Sequence, residues 1–291
     1  MSLLLQFALN GLIAGSIYAL VASGFSLIYN TNKFMHFAHG ISVVVSGYIL
    51  FSLFSLIGLN FYLSLISAPI YSSFIGFLIY RVIYLPLQKR KASNIILLIA
   101  SISILILFQN LILLFFGANV KDIGYLEIKQ GIDFYGATIT PMQIIIIAVS
   151  LVFFIFLYIF MNKTKLGRNM RAVSNNKELA SIIGINERRI SDLSFFIGSF
   201  LGGVAGVLIA LEQNITPNIG VFLIIKGFTG AVIGGISSVP ASVLGSYIIG
   251  LAENFGIAAL PSGYKDAISF VILFLFLLLK PEGLISLRRK K

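Results

Sequence analysis

Nine stretches of this chain are apolar over roughly the length a bilayer demands. They run over 3–29, 37–58, 61–84, 94–116, 142–161, 193–211, 221–239, 241–260 and 264–280. A helix needs about 20 apolar residues to cross the hydrocarbon core. Lipid offers the backbone no hydrogen-bond partner, so such segments must be helices or closed barrels. The alternating ten-residue segments of a barrel are missing, which leaves helices. Only 11% of the residues are charged, against roughly 25% in a soluble domain. The expected fold is therefore an all-α polytopic membrane protein with eight to ten transmembrane helices. Residues 1–291 read as one transmembrane domain, some of whose segments are broken or re-entrant.

The net charge of +11 does not point to nucleic acid. Its basic residues fall in the gaps between apolar segments: Lys89-Arg90-Lys91, the 163–192 loop, and Arg288-Arg289-Lys290-Lys291. Basic loops set orientation by staying in the cytoplasm. By that rule 89–91, 163–192 and the 288–291 tail lie inside. The 117–141 loop, with Lys121, Asp122, Glu127, Lys129 and Asp133 in balance, lies outside, and so does 212–220. The tail could also meet anionic lipid heads. Segment 3–29 has no basic stretch before it and no small-residue cleavage site after it, so it reads as a retained span. The expected place is a cell membrane, crossed many times.

Two segments read as interrupted. Segment 221–239 holds Gly227, Gly230, Gly234 and Gly235, followed by Ser237, Ser238 and Pro240. That composition suits a helix broken or re-entrant within protein. The three segments after Gly220 fit either three crossings or one crossing plus a hairpin. Residues 30–40 form a polar break able to sit at membrane depth.

Several chemistries are excluded. There is no cysteine, hence no disulfide or thiolate chemistry. His36 and His39 have no third ligand near them in the sequence, so no metal or other cofactor is expected. No Gly-Lys pair exists, so the usual ATP-binding loop is absent. Regularly spaced arginines of a voltage sensor are absent too.

The 163–192 loop carries a helix-compatible run. Ala180 and Gly184 lie one turn apart and are small enough for close approach to a groove on another protein. Glu178 at the helix start suits the helix dipole. Arg168, Arg171, Arg188 and Arg189 flank the run and could pair with a partner's carboxylates. An ordinary amphipathic surface helix would look the same. Elsewhere, Lys226, Glu253, Lys265 and Asp266 lie in or beside apolar segments, where charge is costly and usually faces a cavity or another charge. Glu253 could pair with Lys226 or with Lys265. Gly198, Gly202, Gly203 and Gly206 make a small-residue stripe suited to close packing, inside the chain or against a second subunit.

Taken in order, the landmarks resemble one family. They are Asn10-Gly11-Leu12-Ile13-Ala14-Gly15-Ser16-Ile17-Tyr18-Ala19-Leu20, then Phe37-Ala38-His39-Gly40, Gly167-Arg168, and Ala180-x3-Gly184-Ile185-Asn186. Then come Lys226-x-Phe228-Thr229-x-Ala231-Val232-x-Gly234-Gly235-Ile236-x-Ser238-x-Pro240, Gly250-x-Ala252-Glu253, Tyr264-Lys265-Asp266 and Pro281-x-Gly283-Leu284. Nearly the whole chain resembles a branched-chain amino-acid ABC transporter permease, the LivH-like subunit. It departs at His36 and at Ala241-Ser242.

The resemblance implies a heterodimer with a second, LivM-like permease subunit, two ABC ATPase subunits and an extracytoplasmic solute-binding protein. ATP hydrolysis would fall to the partners, so this chain is not expected to be an enzyme. Within it, 163–192 would be a cytoplasmic coupling loop. Arg168, Arg171, Glu178, Ala180, Gly184 and Asn186 would be its ATPase-coupling residues. His39, Lys226, Gly234, Gly235 and Glu253 are candidates for the pathway or for packing. Leucine, isoleucine and valine are the favoured solutes, with other amino acids, urea and short amides open. The competing expectation is a stand-alone secondary transporter or channel for a small polar solute. That would need its own carboxylate site at midplane, for which only Glu253 qualifies.

Overall fold

The computed structural model describes residues 2–125, 131–280 and 282–285. Glu127, Lys129, Pro281 and the 288–291 tail fall outside the described residues. Each of the nine apolar stretches becomes a helix. They are α1 (Ser2–Asn32), α2 (His39–Phe51), α3 (Phe61–Ile79), α5 (Asn94–Phe116), α6 (Pro141–Lys163), α9 (Glu187–Gln213), α10 (Ile219–Gly234), α11 (Val239–Gly256) and α12 (Lys265–Leu279). Short α4 (Leu85–Lys89) continues α3 through a π-helical turn, Tyr80–Tyr84, and another such turn, Ser52–Leu56, extends α2. Two small helices, α7 (Lys165–Asn175) and α8 (Lys177–Ile182), fill the basic loop, and a hairpin of β1 (Ile132–Phe134) and β2 (Ala137–Ile139) lies between α5 and α6.

Local chemistry accounts for the helix starts. Asn60, Ser93 and Thr140 each place a side-chain oxygen on a first-turn amide, and Thr140 with Gln143 completes a capping box. At 31 residues, α1 is about 46 Å long at 1.5 Å per residue. It forms the axis of the molecule and packs on α9, α10 and α11. The side chains of α5, α6 and α12 stay largely exposed on the rim, as helices facing lipid or another subunit would.

Seven of the described helices, with their extensions, are long and apolar enough to cross a membrane, and α10 with α11 makes an eighth if that pair is one span. The pair bends by 115° at its break. A turn beyond 90° sends α11 back toward the side from which α10 came. The contacts agree: Phe255, at the end of α11, packs edge-on against Phe7 at 6.4 Å, near the start of α1. α10 and α11 therefore run antiparallel, an arrangement common to three crossings and to one crossing plus a hairpin. Their tip lies beside the chain that follows α12, where Leu284 N meets Ile233 O.

The loops sort to two ends. Gln6 bonds Thr138 in both directions, at 2.7 and 3.0 Å. Ser55 donates to the Ile123 carbonyl, and Lys121 bridges Ile215 backbone to backbone. These contacts gather the start of α1, 52–60, 117–125, 131–140 and 213–218 at one end. At the other end Arg81 grips Asp192 through two bonds, one of 2.7 Å, and Thr31 meets Ser194 at 2.8 Å. Lys89, Arg90, Lys91 and the α7–α8 loop lie on that side, so the described basic clusters share one end.

Candidate coupling loop, buried breaks and charge cluster

The basic loop is built by asparagine and threonine caps. Thr164 Oγ1 accepts from Gly167 N at 3.0 Å, Asn176 Oδ1 from Leu179 N at 3.0 Å, and Asn186 Oδ1 from Arg189 N at 3.1 Å. They start α7, α8 and α9 in turn. Gly167 lets α7 fold onto the end of α6, since a Cβ there would lie 2.3 Å from the Phe160 carbonyl oxygen. Helix α8 ends at Gly184, whose φ is +84°. Its N–H donates to the Ser181 carbonyl and the Ile185 N–H to the Ala180 carbonyl, both at 3.0 Å. That pair of bonds is the Schellman ending that favours glycine.

This geometry divides the sequence candidates. Ala180 faces inward and is 2% exposed, so it packs within this chain. Gly184 ends the helix, and Asn186 caps the next one. Glu178 lies exposed in the first turn of α8, and Arg168 is exposed on α7. Arg171 donates to Asn162 Oδ1 at 2.7 Å. Burial pushes the Lys177 ammonium down in pKa, opposed by the charge of Glu187. The sequence reading missed Leu179, Ile182 and Ile183, which are 60%, 78% and 72% exposed. They make an apolar knuckle on a charged loop. The signal available in the sequence is the apolar pair Ile182-Ile183 inside an otherwise charged loop, not helical spacing, since Ile183 lies three residues from buried Ala180.

Most of the polar break at 30–40 is buried, with Lys33 and Met35 exposed. Asn30, Thr31, Asn32, His36 and His39 all lie in the interior. His36 Nδ1 lies 3.0 Å from the Tyr84 hydroxyl, and Ser101 Oγ accepts from Ala38 N at 2.8 Å. His39 sits among glycines, since a Cβ added at Gly24 or Gly202 would come within 2.8 and 3.0 Å of its ring. The two histidine rings are 6.2 Å apart. Among the described residues no group of three metal-binding side chains occurs.

The glycines of α10 are packing glycines. A Cβ at Gly227 would meet Val21 of α1 at 2.7 Å, and one at Gly234 would meet the Ala241 carbonyl oxygen at 1.8 Å. Gly235 turns the chain with φ +124°. The carbonyls freed at the end of α10 are claimed from elsewhere. Leu284 N donates to Ile233 O at 2.7 Å and Ile285 N to Gly234 O at 3.0 Å. The Gly283-Leu284 landmark is thus a backbone clasp on the hairpin tip.

Glu253 and Lys226 are joined in the opposite half. Lys226 Nζ lies 3.2 Å from the Glu253 carboxylate and 2.8 Å from Asp266. Tyr18 donates to Glu253 Oε2 at 2.8 Å, and Ser269 donates to Oε1. Glu253 has no exposed surface. The ambiguity between Lys226 and Lys265 resolves to Lys226, and Tyr18 and Ser269 are partners the sequence did not signal.

A cavity of about 640 Å³ opens at the basic end between α1, α6, α7 and α11. Its walls are mostly apolar, with Asn30, Asn162 and Arg171 among the polar residues that line it.

Comparison with known proteins gives a consistent result. The family described as "Branched-chain amino acid transport system / permease component" matches residues 7–277. The chain is 35% identical to the high-affinity branched-chain amino acid transport system permease protein BraD of Pseudomonas aeruginosa, over 97% of this chain and 95% of that one. It is 34% identical to LivH of Escherichia coli (strain K12), with the same coverage. The probable LivH of Methanocaldococcus jannaschii is 30% identical over 97% of this chain and 92% of its own. Among solved structures, PsaBC from Streptococcus pneumoniae in complex with Fab matches 95% of this chain and 93% of its own, with a TM-score of 0.53. At 17% identity that likeness concerns the fold alone.

Proposed function

This chain belongs to the permease components of branched-chain amino acid transport systems, and from that premise we propose that it is one membrane-spanning half of an ATP-driven importer. The other half is a LivM-like permease. Two ABC ATPase subunits dock on the basic end, and a solute-binding protein delivers a branched-chain or related amino acid to the opposite end. The basic end then faces the cytoplasm, because basic loops are retained there, and the membrane is the cell membrane. The relatives named for branched-chain amino acid transport support the solute class.

One observation carries the coupling role. Leu179, Ile182 and Ile183 expose apolar surface on a loop that also displays Arg168, Arg188 and Arg189. Clustered apolar surface in water marks a contact site, and the surrounding cations suit carboxylates on an ATPase. Behind the knuckle, α7 packs on α1, α6 and α9. Movement of α8 with a closing ATPase is thereby passed to the central helix. Glu253 argues against a stand-alone transporter, since its carboxylate is already taken by Lys226, Tyr18 and Ser269.

The test is Ile183→Asp in the reconstituted complex. The permease should insert normally while ATPase co-purification and ATP-dependent leucine uptake fall together. Full association and full uptake in Ile183→Asp would remove the basis for the coupling assignment.

A further inference from the structure

The cavity at the basic end plays no part in the coupling argument, and its construction suits a particular ligand. Leu27 of α1, Phe154 and Leu157 of α6, and Val243 and Leu244 of α11 form its apolar walls. Its volume of about 640 Å³ lies within the roughly 300–1,000 Å³ usual for ligand sites. The wall supplied by α6 belongs to a rim helix whose Val152, Ile155, Phe156 and Ile159 are exposed, so the cavity lies against the outer flank of the chain.

The rim is polar and cationic. Arg171 is held by Asn162 at 2.7 Å at the mouth. Its helix, α7, also carries Lys165 and Arg168 and has no acidic residue. That helix is strongly two-sided: Gly167, Met170 and Val173 are buried, while the basic residues face out. A basic amphipathic helix of this kind lies in a membrane interface. Asn30, buried in the cavity wall, holds contacts of 3.4 Å to Ser26 and Ser174, long enough to leave its amide able to bond a ligand. Tyr158, 61% exposed, also lines the cavity, and tyrosine favours the headgroup region of a bilayer. A trough for hydrocarbon under a cationic, hydrogen-bonding rim matches an anionic phospholipid, acyl chain inward and phosphate on Arg171. An amino acid fits less well, because the lining offers no carboxylate for its ammonium.

We propose that the α1–α6–α7–α11 cavity binds one anionic phospholipid of the basic-side leaflet. Its headgroup sits on Arg171 and Asn162, and one acyl chain runs along Leu157 and Val243. The lipid wedges between α7 and the α10–α11 tip, touching both the docking loop and the hairpin.

The intact complex, stripped in detergent and given phosphatidylglycerol or phosphatidylcholine, tests this by native mass spectrometry. Phosphatidylglycerol should remain on the chain and phosphatidylcholine should wash out. Arg171→Gln should lower retention by about tenfold, the scale of one lost charge-assisted contact. Val243→Trp, which fills the trough without touching the rim, should lower it as well. Arg90→Gln, at the same end but outside the cavity, should leave it unchanged. Equal losses in Arg90→Gln and Arg171→Gln would mean diffuse attraction and overturn the site. Retention unchanged in both cavity variants, displacement by inorganic phosphate alone, or a crosslink from Val243→Cys to another polypeptide would overturn it too.

Discussion

Glu253 is buried without exposure yet meets a hydroxyl from α1, an ammonium from α10 and a hydroxyl from α12. Four helices are pinned at one carboxylate. Such a charge is tolerated only while its partners remain, and stranding it costs about 3–5 kcal/mol. Lys226→Met should therefore lower the melting temperature of the purified complex markedly. Lys226→Met with Glu253→Leu should recover part of the loss, because it removes the stranded charge while leaving the Tyr18 and Ser269 hydroxyls without their acceptor. Equal melting of the single and double variants would show that the ion pair is not what holds these helices. The charges themselves stand out in the sequence as costly residues in apolar segments. Which cation meets Glu253 does not, because Lys226 is 27 positions away and only the reversal at Gly235 brings α10 alongside α11.

At the scale of elements, the spans were readable because lipid leaves the backbone so few choices. Nine apolar stretches became nine helices; Ser93 caps α5 at the very start of its stretch, while the caps Thr140 and Asn186 start α6 and α9 one and six residues earlier than their apolar runs. Less readable was which face a short helix shows. Ala180 and Gly184 look like one contact face at helical spacing, yet Ala180 packs inward and Gly184 adopts φ +84° to end the helix. A non-glycine residue in that left-handed conformation costs about 1–2 kcal/mol, so Gly184→Ala should loosen the start of α9 rather than block a groove. The glycines of α10 allow a sharper test. Gly234 has no room for a Cβ, with Ala241 O 1.8 Å away. Gly234→Ala should reduce the amount of folded permease in the membrane along with uptake. A side chain that merely narrowed a pathway would reduce uptake alone, so normal levels of a well-folded Gly234→Ala would reverse the packing assignment.

For the whole molecule, segregation of charge and the contacts between loops lead to one prediction about sidedness. The sequence orients the chain from its middle outward and leaves the N-terminus open, because residues 2–29 carry no basic residue to vote. The fold supplies the missing vote through two contacts near the start of α1. Gln6 bonds Thr138 in the loop opposite the basic end, and Phe7 packs on Phe255. With the basic end in the cytoplasm, the chain must begin outside. The natural absence of cysteine makes a clean readout available. Leu4, 57% exposed, can be replaced by cysteine, as can Ser93 beside the Lys89-Arg90-Lys91 cluster. A membrane-impermeant thiol reagent added to intact cells should label Leu4→Cys and spare Ser93→Cys, and permeabilised cells should show both labelled. The reverse pattern would invert the molecule and place α7 and α8 beyond the reach of any cytoplasmic ATPase. Labelling of both in intact cells would mean that the chain does not cross the membrane between residues 4 and 93 as an odd number of spans. That would contradict the run of α1, α2 and α3 from one end of the molecule to the other.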